Sequence, residues 1–263
     1  MNRRGWLATL VLVVPLLVVL SAGLLFWLTP SGGGDPEPRS TSTFSAEQSD
    51  LLESGPSRDP DSIHVLVNRL NPLDPLDYAP QDLVTVPLRS TREEMMLREE
   101  ASGALVELFE AAESEGRDLT VTSTYRSFEY QQHLFDTRVA EFGTAAAEEY
   151  TARPGHSEHQ TGLAADVIAH DHPWCGLGSC FGDTEEGLWV AENAHRFGFV
   201  IRYQEGTEEI TGFAPEPWHL RYVGVETAQE VHSEDIPLEE YWDEPPAPEY
   251  PEDGETSEDP GQS

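Results

Sequence analysis

The chain has 263 residues, with 49 aspartates and glutamates against 15 arginines, no lysine and a formal net charge of −34. With no clustered basic residues, that balance argues against nucleic acid or an anionic lipid surface as a partner. The two cysteines are too few to complete a four-thiolate metal centre.

The N-terminus carries Arg3 and Arg4 and then runs apolar and uncharged from Trp6 to Leu28. As a helix this run covers ~34 Å, enough for a hydrocarbon core of roughly 30 Å. A cleaved leader has an apolar stretch of only about 7–15 residues, and LTPSGGG offers no convincing cleavage site after this one. The expectation over 1–28 is a single-pass anchor, its arginines in the cytoplasm and the rest of the chain outside. A long cleaved signal, giving a secreted protein, is the alternative. Residues 29–61, rich in Gly, Pro, Ser and Thr, read as a flexible tether of ~30 Å reach. A working domain is expected over 62–242. No arginine or lysine follows Arg221, and the acidic, proline-rich segment 243–263 reads as a disordered tail.

Within the domain, IHVLVN starts a short β-rich run that continues into Pro- and Asp-marked turns. Ser90 and Glu93 fit a capping box, predicting a helix through REEMMLREEASGALVELFEAAESEG to a glycine stop. DLTVTSTYRS reads as a strand and FEYQQHLFDTRVAEFGTAAAEEY as helical. TGLAADVIA is a short strand, EEGLWVAENAHRFG a helix, FVIRYQ and EPWHLRYVG strands, and VETAQEVHS a short helix. With no regular βαβ beat, the fold class is α+β, a mostly antiparallel central sheet flanked by helices. Cys175 and Cys180 bracket GLGS and are expected to form a disulfide worth about 2 kcal/mol.

Three segments carry candidate chemistry. In SEHQTGLAAD, His159 precedes the turn residue Gly162, and Ala164 and Asp166 share one face of the following strand. In EPWHLRYVG, Glu216 and His219 are three apart, which opposes them on a straight strand. Pro217 breaks that regularity, leaving the carboxylate in the loop and His219 in the strand, with Trp218 on the packed face and Arg221 on the side of His219. In TSTYRSFEYQ, Arg126 and Ser127 sit where a strand gives way to a helix, a corner suited to an anion. A catalytic zinc takes three protein ligands, an open position and a nearby carboxylate. Taken singly, each segment also reads as ordinary loop hydrogen bonding or a surface ion pair.

Together, YRSFEYQ, SEHQTGLAAD and EPWHLRYVG, in this order, resemble the VanY-type D-alanyl-D-alanine carboxypeptidases, zinc peptidases of bacterial peptidoglycan related in fold to the hedgehog-type metallopeptidases. LVNRLNPLDPLDYAPQDLV and WVAENAHRFGFVIRY extend the resemblance over 62–242. It implies one zinc ion held by His159, Asp166 and His219. It implies Glu216 as the general base that takes a proton from the attacking water and passes it to the leaving amine. Arg126 then holds a substrate carboxylate or the developing oxyanion, and Ser127, Gln131 and Ser157 border the substrate. His156 falls outside the pattern and reads as a loop or supporting residue, and His170 and His172 read as a solvated loop.

The implied reaction is removal of the terminal D-Ala from peptidoglycan stem pentapeptides by a domain outside the bacterial cell membrane. L,D-carboxypeptidase action on tetrapeptide stems and endopeptidase cleavage use the same constellation. A non-catalytic wall-binding module would have lost a ligand or the base, and neither is lost here.

Overall fold

The computed structural model describes residues 55–251. The segment expected to be an anchor lies outside the described residues, among which no helix is long and apolar enough to cross a membrane. A short antiparallel ribbon pairs β1 (Leu83–Thr85) with β2 (Met96–Arg98). Helix α1 (Glu99–Ser114) follows, then β3 (Leu119–Ser123), α2 (Phe128–Phe142) and α3 (Thr144–Glu148). After β4 (Ala164–Ala169) come α4 (Glu185–Asn193), β5 (Phe199–Tyr203), α5 (Glu208–Thr211), β6 (Glu216–Tyr222), α6 (Val225–Glu234) and α7 (Leu238–Tyr241).

The central sheet runs β3-β4-β6-β5, every neighbouring pair antiparallel, as the α+β reading expects. All six residues of β4 are buried, because this interior strand is covered on both faces. Helix α1 places Ala101, Leu105, Leu108, Phe109 and Ala112 on one stripe, which joins Val121, Val167 and Leu220 of the sheet in the main core. Each fully buried leucine there contributes about 1.5–3 kcal/mol. A second cluster packs Ala228 and Val231 of α6 and Leu238 of α7 with Val200 and Leu66.

Several expectations change. The capping box at Ser90 does not form: its hydroxyl donates to the Arg92 carbonyl, and α1 begins only at Glu99. Met95 and Leu97 are buried while Met96 and Arg98 are half-buried, a period-two pattern masked by the surrounding helix formers. IHVLVN forms no strand, only an isolated bridge from Val65 to Ser57. The long second helix divides at Gly143, whose φ of +83° ends α2.

The domain boundaries also move outward at both ends. Asp61, assigned to the tether, accepts a hydrogen bond from Tyr78 Oη at 2.7 Å. The segment from Asp243 is not a free tail at its start: Ala247 is fully buried and donates to the Ile210 carbonyl at 2.7 Å. Further along, Tyr250 Oη accepts from the Arg153 amide. Apolar and aromatic side chains spaced among acids anchor this stretch despite its composition. The disulfide between Cys175 and Cys180 is formed.

Candidate active site

The β4–β6 pairing sets Asp166 directly opposite His219, which makes them neighbours on one face of the sheet. His159 arrives from the 3-10 turn Glu158–Thr161 that leads into β4. That turn closes at Gly162 with φ +70°, where an added Cβ would meet Leu83 and Arg98 at 3.0 Å. Glycine is required there by both conformation and space. The donor atoms of His159, Asp166 and His219 lie within 4.8 Å of one another. His159 Nε2 is 3.2 Å from Asp166 Oδ2, and His219 Nδ1 is 3.2 Å from Asp166 Oδ1.

Glu216 reaches the same place by a route the alternation rule did not foresee. It is the first residue of β6 rather than part of a loop. Ile201 pairs with Leu220 but Tyr203 pairs with Glu216, so two steps along β5 span four along β6. Two extra residues of β6 lie opposite β5 there, an irregularity in the ladder at the start of the strand. Glu216 Oε2 comes within 3.6 Å of His219 Nδ1.

The hydrogen-bond network sets the histidine tautomers. His159 Nδ1 lies 2.7 Å from the Thr124 carbonyl, which can only accept, so the proton is on Nδ1 and Nε2 keeps its lone pair. His219 Nε2 lies 3.1 Å from Glu158 Oε2, so its proton points away from Asp166 and Nδ1 faces the site. Glu158 is held ionised: Arg202 Nε and Arg221 Nη1 both donate to its Oε1 at 2.9 Å. The pKa of Glu158 falls well below the carboxylate range, the two guanidiniums outweighing its burial. His159 Nε2 and Asp166 Oδ1 are buried without hydrogen-bond partners. With His219 Nδ1 converging on them, two imidazole nitrogens and a carboxylate fit a divalent ion of nitrogen and oxygen preference.

Without the ion, the two histidines titrate far apart. Burial, aided by Arg126, pushes His159 down to about 4, against the pull of Asp166. Burial opposes a charged His219, but its bonds to Asp166 and Glu158 win and raise it to about 9. Burial lifts Glu216 to about 8, with His219 opposing and Asp166 adding to the rise.

Arg126 donates to Asp166 Oδ2 at 3.0 Å, to Ser123 Oγ at 2.9 Å and to Gln131 Oε1 at 3.3 Å. A cavity of about 1000 Å³ opens over these groups, with Arg126, Ser157, His159, Asp166, Glu216 and His219 on its lining. Ser127 and Gln131 are absent from that lining. Ser127 caps α2 by accepting from the Tyr130 amide, and Gln131 is fully buried between Arg126 and the Ala152 carbonyl. Trp218, placed on the packed face, lies in the main core and also borders the cavity. His156 meets the Asn68 carbonyl and the Tyr250 ring, away from the donor trio.

The pattern of the family described as VanY: D-alanyl-D-alanine carboxypeptidase matches residues 94–225. The chain belongs to the VanY family. Among VanY-family relatives, a D-alanyl-D-alanine carboxypeptidase of Enterococcus faecalis is 40% identical over 186 residues, covering 67% of this chain and 64% of its own. The solved structure of the LdcB LD-carboxypeptidase is 42% identical, with a TM-score of 0.66 over 70% of this chain and 87% of that one. The structure of the vancomycin-resistance D,D-pentapeptidase VanY from a VanB-type cassette, in complex with Zn(II), is 37% identical with a TM-score of 0.58, covering 69% of this chain and 98% of that one.

Four residues of the VanY-family site were not singled out for roles in the sequence: Glu158, Arg202, Tyr203 and Arg221. Glu158 stands beside His159 in the quoted motif, and alternation had put Arg221 on the side of His219. Tyr203 lines the cavity with its ring 5.0 Å from that of His219. No local signal distinguishes it from a core tyrosine.

Proposed function

We propose that this chain is a zinc-dependent D,D-carboxypeptidase that removes the terminal D-Ala from peptidoglycan stem pentapeptides. The observation that carries the reading is the meeting of His159 Nε2, Asp166 and His219 Nδ1 beside buried Glu216, at a cavity large enough for a peptide end. Zinc held by those three residues would supply Lewis acidity, polarising the scissile carbonyl and lowering the pKa of a water toward about 7.

The chain's own groups supply the rest. Glu216, shielded from bulk water, accepts the attacking water's proton and returns it to the leaving amine. Arg126, fixed by Ser123, Gln131 and Asp166, offers a guanidinium to the terminal carboxylate or to the oxyanion. Glu158 keeps the His219 proton on Nε2 and so keeps Nδ1 available. Ser157 borders the substrate. Gln131 acts through Arg126, and Ser127 through the helix it caps.

The apolar run behind Arg3 and Arg4 supports a single-pass anchor in the bacterial cell membrane, with the catalytic domain outside. The Cys175–Cys180 disulfide suits such an oxidising compartment. Fractionation of the native bacterium and N-terminal sequencing of the membrane-held protein test the anchor: a mature chain lacking 1–28 would mean cleavage.

Likeness to the LdcB LD-carboxypeptidase favours a second reading, removal of D-Ala from tetrapeptide stems. Zinc-loaded protein with purified pentapeptide and tetrapeptide muropeptides, read by mass spectrometry, separates the two. Loss of one alanine from the pentapeptide alone supports D,D action, and loss from the tetrapeptide moves the reading to L,D. Chelator and Glu216→Ala must abolish either.

A further inference from the structure

The catalytic cavity extends well past the bond to be cut. One wall is a single stripe of α2, on which Tyr130, Leu134, Arg138 and Phe142 recur every four residues and all line the cavity. The stripe spans about 18 Å of helix and starts beside Arg126. An extended pentapeptide spans about 17 Å. A peptide with its C-terminus at Arg126 therefore has its uncleaved residues alongside this stripe. Packing does not explain the stripe, since Gln131 is the one residue of α2 that is buried and Tyr130 and Phe142 are 44% and 55% exposed.

The stripe is also where positive charge is left over. In a chain of net charge −34, most of the described arginines are ion-paired. Arg92 and Arg138 meet no carboxylate among the described residues, and both line the cavity. Arg92 donates to Tyr130 Oη at 3.0 Å and lies over that ring; Arg138 lies over Phe142 at 5.7 Å. These contacts hold the guanidiniums in place without neutralising them. Away from this wall the lining is mostly uncharged but includes Glu149, Glu205 and Glu208. Beyond Arg126, an anionic group is therefore favoured on the wall formed by α2 and Arg92.

We propose that Arg92, at the Tyr130 end of the stripe, and Arg138, at its Phe142 end, make this wall a cationic subsite for carboxylates on the uncleaved part of the substrate, which makes the enzyme prefer stem peptides with free acidic groups over amidated ones. The inference rests on the carboxypeptidase reading above. Two carboxylates of a stem peptide could fill the subsite: that of the second-residue glutamate, or that of a diamino-acid third residue.

The test uses the zinc-loaded full chain and pentapeptides ending in D-Ala-D-Ala, each of the two carboxylates being free or amidated in turn. A short acylated D-Ala-D-Ala peptide accompanies them. Amidation at one of the two positions is expected to lower kcat/KM about 3–10-fold, mainly through KM, and that position names the source. The ratio between free and amidated forms falls toward one in Arg138→Ala, falls less in Arg138→Lys, and is kept in Arg196→Ala, whose guanidinium is bound to Asn193 and does not line the cavity. No preference at either position overturns the subsite, as does a preference that survives Arg92→Ala combined with Arg138→Ala. Failure to cleave even the short peptide would instead defeat the carboxypeptidase reading. Calorimetric affinities of the same peptides for Glu216→Ala protein then decide the subsite separately.

Discussion

Glu158 Oε2 lies 3.1 Å from His219 Nε2, so a carboxylate with no solvent exposure decides which nitrogen of that histidine faces the metal donors. Replacing it by glutamine keeps the volume but removes the charge that Arg202 and Arg221 neutralise. Glu158→Gln is expected to weaken zinc binding about 10–100-fold. Competition with a chromophoric chelator measures this, and unchanged affinity would leave Glu158 with a purely structural role.

Glu216→Gln separates chemistry from metal binding. The amide cannot accept the water's proton, so kcat is expected to fall about 10²–10⁴-fold while the protein still holds one zinc. Metal content by mass spectrometry and single-turnover cleavage check both halves. Cleavage at the native rate would remove Glu216 from the reaction.

Stability should respond to pH in opposite ways with and without metal. In the metal-free protein His219 sits at about 9 against a usual 6.5, a stabilisation complete below about pH 6.5 and lost as pH rises through 9. Glu216, at about 8 against 4.5, acts in the same direction. His159, lowered to about 4, does the reverse: its contribution is complete above 6.5 and lost as pH falls through 4. Metal-free protein should therefore lose melting temperature between about pH 6.5 and 9. With excess zinc the loss should disappear, because the ion replaces the His219 proton and binds more tightly as pH rises. Parallel slopes with and without chelator would contradict the donor assignment.

Arg202 bridges Glu158 and Glu239, all three side chains having no solvent exposure. Arg202→Ala leaves two buried carboxylates short of a counter-charge and is expected to cost about 3–5 kcal/mol. Urea unfolding measures it. A loss under about 1 kcal/mol would mean that water enters the site and screens the charges.

Much of the site was legible before any coordinates, and the reasons are local. His159 and Asp166 sit in a short motif whose glycine turn and strand alternation are properties of adjacent residues. Glu216 and His219 were recognised together through the family pattern, while the irregular pairing of this end of β6 with β5 is revealed only by the partner strand. The ribbon strand β2 was read as helix because charged helix formers outnumber the buried Met95 and Leu97. Glu158 could not be assigned its role because its partners Arg202 and Arg221, and the Glu239 that shares Arg202, come from β5, β6 and α7. The ordered stretch through Tyr250 was hidden by an acidic composition that describes its average and not its few anchoring side chains.

The line from Glu239 through Arg202 and Glu158 to His219 has a consequence for the order in which the enzyme comes into being. His159 and Asp166 are synthesised well before α7, yet the charge balance behind His219 is completed only when α7 is in place. A ribosome that stalls before Glu239 leaves a chain with every metal ligand and the base, but with Arg202 missing half of its carboxylate partners. Such fragments should bind zinc poorly and be prey to proteolysis. Zinc binding is therefore expected to be complete only once α7 is in place.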